Sequence, residues 1–255
     1  MNEKKIFDKA KLLKAASVVL ALVLWQIAAD AVGSEMLLAS PVRVIVRLAT
    51  VWKEPGFFST VLFSLFRISA GFLLAFAAGT LAGIAAGRFR VIEYLLWPYV
   101  ITVKTVPIAS FIILCLIWLN YNELTVLIAF LIAFPAIYSN VLQGIRSTDE
   151  KKKELASLYR IPWTRQLFYI YLPAVKPYLI SASAVAVGMA WKAGVAAEVI
   201  GIIDGSIGEM LYQAKVYFQN ADLLCWTVVI ILASVLTEKL FVLLLKAAFK
   251  GVERL

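Results

Sequence analysis

The sequence predicts an all-α membrane protein with six transmembrane helices and a cytoplasmic loop between the fourth and fifth. Three observations support this fold class. First, 62% of the residues are apolar and only 16% are charged, with a mean hydropathy of +0.88, whereas about a quarter of a soluble domain is charged. Second, 255 residues accommodate five to seven spans of about twenty residues each. Third, one long polar insert, 146–177, interrupts the apolar sequence. We therefore treat 1–255 as a single transmembrane domain.

Residues 1–37 are predicted to form an N-terminal tail and the first helix. Met1–Lys14 carries five lysines and precedes the apolar run Ala15–Ala29. A Lys-rich start followed by Ala28-Ala29-Asp30-Ala31 also resembles a cleaved signal peptide. A retained helix with a cytoplasmic N-terminus fits the rest of the pattern better.

Residues 38–65 are predicted to form an extracytoplasmic segment at the membrane surface. Ser40-Pro41 is a helix start signal, since proline is favoured at the first helical position. A short helix with one apolar face follows, and its apolar residues are Val42, Ile45, Val46, Leu48, Ala49 and Val51.

Residues 66–245 are predicted to form a five-helix core. Gly79 and Gly83 in its first helix form a small-residue pair that allows a neighbouring helix to approach closely. Pro98, Pro107 and Pro135 predict kinks, or breaks that expose backbone carbonyls. The five predicted spans are approximately Ile68–Ala86, Tyr94–Leu119, Leu124–Ile145, Tyr178–Ile200 and Leu223–Leu245.

The distribution of cations predicts the orientation. Seventeen of the 25 Lys and Arg residues lie in the N-terminus, 87–93, 146–177 and 246–255. Only four lie in the opposite segments. By the positive-inside rule both termini and the 146–177 loop are cytoplasmic. The net charge of +9 therefore indicates topology and contact with anionic lipid, and it does not indicate nucleic acid binding.

Common catalytic and metal-binding patterns are absent from the sequence. It contains no histidine, no phosphate-binding glycine motif and no zinc-type cysteine pair. Its two cysteines, Cys115 and Cys225, lie in apolar segments, which argues against a disulfide framework. We expect that the chain is not an enzyme and holds no metal or cofactor.

The polar insert contains the most specific pattern. Glu154-Leu155-Ala156, followed by Ile170-Tyr171-Leu172-Pro173, resembles the EAA motif of ABC importer permeases, which reads E-A-A, three residues, G, nine residues and I-x-L-P. The spacing matches without a gap. Residues 38–245 as a whole resemble the nitrate/sulfonate/taurine-type members of the binding-protein-dependent permeases. The similar residues are Leu38-Ala39-Ser40-Pro41, Ser64-Leu65-Phe66-Arg67, Val106-Pro107, Ala197-Glu198 and Gly205-Ser206-Ile207-Gly208.

Two positions depart from the motif. Leu155 replaces an alanine, and Arg160 replaces the glycine of the turn. That glycine normally permits a sharp turn, often with positive φ, where another residue costs about 1 kcal/mol. Pro162 is placed to start a second short helix.

The resemblance implies a type I ABC importer permease fold in the bacterial plasma (inner) membrane. It implies that the loop forms coupling helices docked on a separate ATPase, which binds the ATP and Mg. The expected partners are two ATPase subunits, a second permease copy in a homodimer, an extracytoplasmic substrate-binding protein and membrane lipid. Gly205 and Gly208 are candidates for contact with the binding protein. The predicted coupling residues are Glu154, Ala156, Tyr159, Arg160, Trp163, Ile170, Leu172 and Pro173, with Phe168 as a further aromatic anchor.

Charges and breaks within the spans are candidates for the translocation pathway, since an unpaired charge in mid-membrane costs roughly 2.5–3.5 kcal/mol. Glu198 either lines the pathway, reaches the membrane surface or pairs with another helix. Lys192 either lines the pathway or pairs between helices, and it favours an anionic solute. The resemblance suggests a small organic anion such as a sulfonate, or a small heterocyclic nutrient. The pathway candidates are Lys104, Pro107, Trp191, Lys192 and Glu198.

Two other functions are compatible with six membrane helices. A stand-alone secondary carrier would transport without an ATPase and would contain an inverted repeat. A membrane scaffold would not transport at all.

Overall fold

The structure is a computed structural model that describes residues 3–252. Every regular element in this range is helical and none is a strand, which confirms the all-α prediction. The elements are α1 (Glu3–Val32), α2 (Pro41–Val51), α3 (Phe57–Arg88), α4 (Arg90–Thr105), α5 (Ile108–Trp118), α6 (Tyr121–Arg146), α7 (Glu150–Leu158), α8 (Trp163–Gln166), a π-helical turn (Leu167–Tyr171), α9 (Leu172–Gly201), α10 (Ile207–Val216) and α11 (Asn220–Val252).

Within the described residues, five helices are long and apolar enough to cross a membrane, and the bent pair α4–α5 gives six spans if it counts as one. The prediction of six transmembrane helices is thereby confirmed. The axes of α4 and α5 differ by 108°, and the helices are separated by Val106-Pro107. Pro98 and Pro135 lie inside continuous helices, so the helical chain breaks at Pro107 but not at these two.

Two helices extend beyond the predicted spans. The helix that contains the predicted Ile68 span begins at Phe57, because polar residues such as Ser64 lie on the buried face of the helix. The helix that contains the predicted Tyr178 span begins at Trp163, since α8, the π-helical turn and α9 are continuous from Trp163 to Gly201. Segment 38–65 therefore contains α2 and the first turns of α3.

The chain divides into two compact units. The first comprises the chain up to Ser59 and Met210–Val229. In it α2 begins at Pro41, with the Ser40 hydroxyl accepting from the Arg43 amide at 3.4 Å. Arg47 pairs with Glu54 and Asp222, and the hydrogen bond that its guanidinium donates to the Glu54 carboxylate raises the pKa of Arg47 further above its usual value. The pair with Asp222 links α2 to the start of α11 within this unit.

The outer face of α2 is apolar. Val42, Ile45 and Val46 are all exposed, and their spacing places them on one side of the helix. An exposed apolar stripe of this kind is typical of a helix that lies in a membrane surface. The stripe supports the predicted interfacial position of α2.

The second unit comprises Thr60–Glu209 and the chain from Ile230. In it α3 packs closely on α6. A Cβ built on Gly79 would lie 3.0 Å from Ile137 Cβ, and one built on Gly83 would lie 2.7 Å from Val141 Cβ. The close approach predicted from this glycine pair is therefore confirmed.

Both cysteines are buried and form no disulfide. Cys115 belongs to the core cluster in which α5, α6 and α9 meet, together with Ile112, Leu124, Ile128, Ala193, Ala197 and Ile203.

Candidate functional site

The polar insert begins as a short capped helix. The Asp149 carboxylate accepts from the Lys151 amide at 3.0 Å, which is the usual role of an N-cap aspartate. Glu150 in the first turn forms an ion pair with Lys153 at 2.9 Å, and its negative charge is favourable near a helix N-terminus. The local sequence is therefore sufficient to start α7 at Glu150.

The turn after α7 has a backbone geometry that glycine usually adopts, but Arg160 occupies the position. Arg160 has φ = 50°, in the left-handed region. The Ile161 amide donates to the Ala156 carbonyl at 2.9 Å, and the Arg160 amide donates to the Ser157 carbonyl at 3.0 Å. This pair of bonds defines a Schellman motif. Pro162 follows as the N-cap residue of α8, so the backbone turns sharply as the motif requires.

The surface of α7 combines charge with exposed apolar side chains. Leu158 and Tyr159 are 75% and 74% exposed, and Leu155 is also exposed. Ala156 is only 1% exposed, so it anchors α7 to its own chain. Glu154 is exposed. An exposed aromatic and aliphatic cluster on a hydrophilic helix is the composition of an interface.

Trp163 lies on the inner side of the turn. Its ring packs against Tyr171 at 4.8 Å, and the Arg88 guanidinium lies over it at 4.8 Å from the ring centroid. Trp163 is therefore half-buried and has two partners within the chain, and its role as a coupling anchor stays a prediction. The exposed large apolar and aromatic side chains of this segment are Leu155, Leu158, Tyr159, Phe168 and Tyr169.

The second half of the motif continues into the long membrane helix. Ile170 lies in the π-helical turn, and Leu172-Pro173 begins α9. Pro173 directly follows the π-helical turn, and π-bulges and prolines are both positions where a helix departs from regular α geometry. The second short helix thus has no independent end and continues into α9.

A buried junction lies at the opposite end of α9. Glu198 is 0% exposed. Its Oε2 accepts from the Ser64 hydroxyl at 2.8 Å and from the Gly208 amide at 3.3 Å. The Ile207 amide donates to Ser64 Oγ at 2.9 Å. The carboxylate therefore caps the N-terminus of α10, where a negative charge is favoured.

The structure changes two predictions about residues at this end of α9. Glu198 does not line an accessible surface of this chain, since its side chain joins α3, α9 and α10. Gly208 is buried as well, because a Cβ there would lie 2.6 Å from the Glu198 carbonyl carbon. It therefore offers no surface to a binding protein. Gly205 is exposed with φ = 74°, and its amide donates to Glu209 Oε2 at 2.5 Å.

The remaining pathway candidates differ in accessibility. Trp191 is buried at 1% exposure, so the structure does not place it on a pathway surface. Lys192 is exposed on α9. Pro107 is exposed as the N-cap residue of α5. Lys104 is exposed, and its Nζ donates to Ser139 Oγ at 3.0 Å.

Three partner residues were not predicted from the sequence. Ser64 was noted only for its family resemblance, Arg88 only as a topology signal, and Ser139 not at all. Ser64 and Ser139 are each one of several polar residues on their helices, so no feature of the sequence singled them out. For Arg88 the sequence offers no such feature either, since its ring partner is 75 residues away.

Comparison with known proteins identifies the family. A model described as "Binding-protein-dependent transport system inner membrane component" matches residues 75–253. The chain is 29% identical over 245 residues to the putative aliphatic sulfonates transport permease protein SsuC of Bacillus subtilis, covering 95% of this chain and 87% of the relative. It is 28% identical to the nitrate import permease protein NrtB of Synechococcus elongatus, covering 76% and 72%.

A third relative is the formylaminopyrimidine transport permease protein ThiX of Halalkalibacterium halodurans, 27% identical with 72% of this chain and 74% of the relative covered. The family match covers well over half of the chain, and the relatives agree with the resemblance of the polar insert. The chain belongs to the binding-protein-dependent transport system inner membrane component family, and within it to the nitrate/sulfonate/taurine-type permeases.

Proposed function

We propose that the chain is the membrane subunit of an ATP-driven importer and that α7 with its Schellman turn is the docking element for a separate ATPase. The observation that carries this proposal is the exposed cluster Leu155, Leu158 and Tyr159 on a charged helix. A charged helix gains nothing in water from exposing these side chains, whereas an ATPase groove would bury them.

The covalent route from α7 to the membrane supports coupling. Ala156 and the Arg160 turn fix α7, and α8 continues without a break into the helix that ends at Gly201. Closure of two ATPase subunits on ATP would displace α7 and α8 and thereby tilt α9. Two permease copies moving in this way would alternate access across the membrane. The ATP and Mg belong to the ATPase in this scheme.

The proposed orientation follows from the cation distribution. Both termini and α7 are cytoplasmic, and the Glu198 end of α9 is extracytoplasmic, where a substrate-binding protein would deliver the solute near exposed Gly205. The solute is a small anion of the sulfonate, taurine or nitrate class, because sulfonates and nitrate are named for two relatives. A small heterocyclic nutrient is the second solute class, since formylaminopyrimidine is named for a third.

The docking proposal is tested in the complete transporter, purified with its ATPase and assayed with its binding protein. Leu158→Glu and Glu154→Lys are each expected to lower the amount of co-purifying ATPase at least tenfold and to abolish ATP-dependent uptake. Lys152→Gln, on the same helix and exposed, changes the charge by the same amount as Leu158→Glu and serves as control. Full ATPase recovery and normal uptake in both variants would contradict the docking role. Uptake that persists without any ATPase would instead indicate a secondary carrier.

A further inference from the structure

A polar track lies between α4 and α6, within the second unit. Ser139, Gln143 and Arg146 are spaced by four and three residues, so they share one face of α6. On α4, Glu93 and Lys104 are eleven residues apart, which is about three helical turns and again one face. These five residues line a cleft of about 280 Å³ with Val100, called here the α4–α6 groove.

The groove carries an excess of positive charge. Arg146 forms an ion pair with Glu93. Lys104 donates to the neutral Ser139 hydroxyl at 3.0 Å, and among the described side chains no carboxylate is paired with it. Two cations and one carboxylate leave a net charge of +1. An ammonium has three donors, so Lys104 retains donors for a ligand.

The apolar surroundings of the groove strengthen its attraction for an anion. Val100 and Leu142 on the two helices are buried, and Trp97 and Ile101 also line the cleft. Walls of low dielectric strengthen the attraction of an anion to a fixed cation. A charged residue within a membrane span otherwise carries a cost unless it meets water or a counter-charge. A small anion would supply that counter-charge.

We propose that the α4–α6 groove is an anion-binding station on the solute pathway. In this station Lys104 and Ser139 bind the oxygens of a sulfonate, carboxylate or nitrate group, and Arg146 attracts the anion along the same face of α6. The inference rests on the proposed transport function and specifies its solute as anionic.

A phospholipid headgroup has the same negative charge and is the other source of such an anion. The position of Lys104 favours the solute. Ser139 lies seven residues before Arg146, which is about 10 Å along α6, so the Lys104–Ser139 pair is deeper in the membrane than the helix end where headgroups lie. The test below separates the two sources.

The electrostatic test uses two thiol reagents of opposite charge on the purified transporter complex in nanodiscs. Gln143→Cys places a thiol in the groove, while native Cys115 and Cys225 are buried. When each rate is divided by the rate of the same reagent with a free thiol in solution, the sulfonate reagent MTSES, itself a small aliphatic sulfonate, is expected to react faster than the trimethylammonium reagent MTSET. Adding Lys104→Gln is expected to lower the MTSES/MTSET rate ratio about tenfold, since one nearby charge acts oppositely on the two reagents. Lys239→Gln, an exposed lysine of α11, is the matched control and is expected to leave the ratio unchanged.

Competition experiments distinguish a solute anion from a lipid headgroup in the α4–α6 groove. Ethanesulfonate is expected to slow MTSES labelling of Gln143→Cys, and replacing part of the phosphatidylcholine with phosphatidylglycerol is expected to have no effect. Protection by phosphatidylglycerol alone would show a lipid site and overturn the proposal. An introduced thiol that neither reagent reaches, or a ratio unaffected by Lys104→Gln, would overturn it equally.

Transport assays separate this inference from the proposed function. Lys104→Gln is expected to reduce ethanesulfonate uptake at least fivefold while retaining normal ATPase association. A wild-type complex that hydrolyses ATP and imports only neutral solutes would refute the anion station and leave the transport function standing. A wild-type complex that imports nothing would refute the transport function, whereas the labelling ratio would still report the charge of the groove.

Discussion

Charged residues are exposed near the Trp163 end of the Trp163–Gly201 helix and buried near its Gly201 end. At the Trp163 end, Glu154 and Arg160 are exposed and the apolar side chains beside them face outward. At the Gly201 end, Glu198 is completely buried and its partners are Ser64 and the start of α10. Both ends nevertheless use a non-glycine residue with positive φ, Arg160 at 50° and Ile202 at 47°.

The difference shows which end is complete within one chain. One oxygen of the buried carboxylate accepts hydrogen bonds from two other helices of the same chain. An exposed leucine and tyrosine, in contrast, would be buried only by a partner protein. The Gly201 end therefore contributes mainly to the stability of the subunit. The Trp163 end carries the surface that we propose docks the ATPase.

The largest expected effect is at Glu198. Glu198→Ala leaves the Ser64 hydroxyl and the Gly208 amide buried without their acceptor, and each such loss costs about 1–3 kcal/mol. We expect the free energy of unfolding to fall by about 2–4 kcal/mol, measured by thermal unfolding in detergent. Glu198→Gln retains an acceptor oxygen and should lose less. Exposed Asp204→Ala, at the same end of the helix, is the control, and an equal loss in that variant would show that the buried contacts of Glu198 are not the cause.

A smaller effect of opposite sign is expected at the turn. Arg160→Gly replaces a side chain in the left-handed region with the residue that accepts it, so we expect a gain of about 1 kcal/mol in unfolding free energy. Arg165→Gly, which has helical neighbours and no positive φ, should instead lose stability. If Arg160→Gly destabilised the chain as Arg165→Gly does, the positive φ of Arg160 would carry no strain.

The smallest effect on stability is expected at Arg88. Arg88→Gln removes the cation–π contact with Trp163, worth about 0.5–1 kcal/mol at an exposed site. Its effect on coupling should be larger than its effect on stability, because α3 and the start of the long helix would no longer move together. The ratio of solute imported to ATP hydrolysed is the measurement, with Arg90→Gln as control. A fall in both variants would assign the effect to surface charge instead of the contact.

The helices could be predicted from the sequence because a long apolar segment in a membrane has few alternatives to a helix. Boundaries were predicted poorly where polarity and helix formation conflict. Ser64 and Thr60 were interpreted as a polar connection, yet they lie on the buried side of α3. Pro173 and Pro177 were interpreted as loop residues, although Pro173 lies at the start of α9 and Pro177 lies inside it.

Only part of the candidate site could be predicted from the sequence, because some of its contacts are local in the chain and others are distant. Motif spacing located the α7 turn because its partners are within a few residues, as in the bond from Ile161 to Ala156. The role of Glu198 depends on Ser64, which is 134 residues distant. No local pattern in a single sequence specifies such a pair. For the same reason Gly208 was predicted to be a surface glycine although it packs on the backbone of Glu198.

The length of α3 has a consequence for the membrane itself. Arg67 and Arg88 are 21 residues apart on this helix, which is about 32 Å, close to the roughly 30 Å thickness of a bilayer hydrocarbon core. A thinner or thicker bilayer would tilt α3 or draw one arginine into lipid. Ser64 lies near one of these arginines and Trp163 contacts the other, so bilayer thickness acts on both ends of the permease at once.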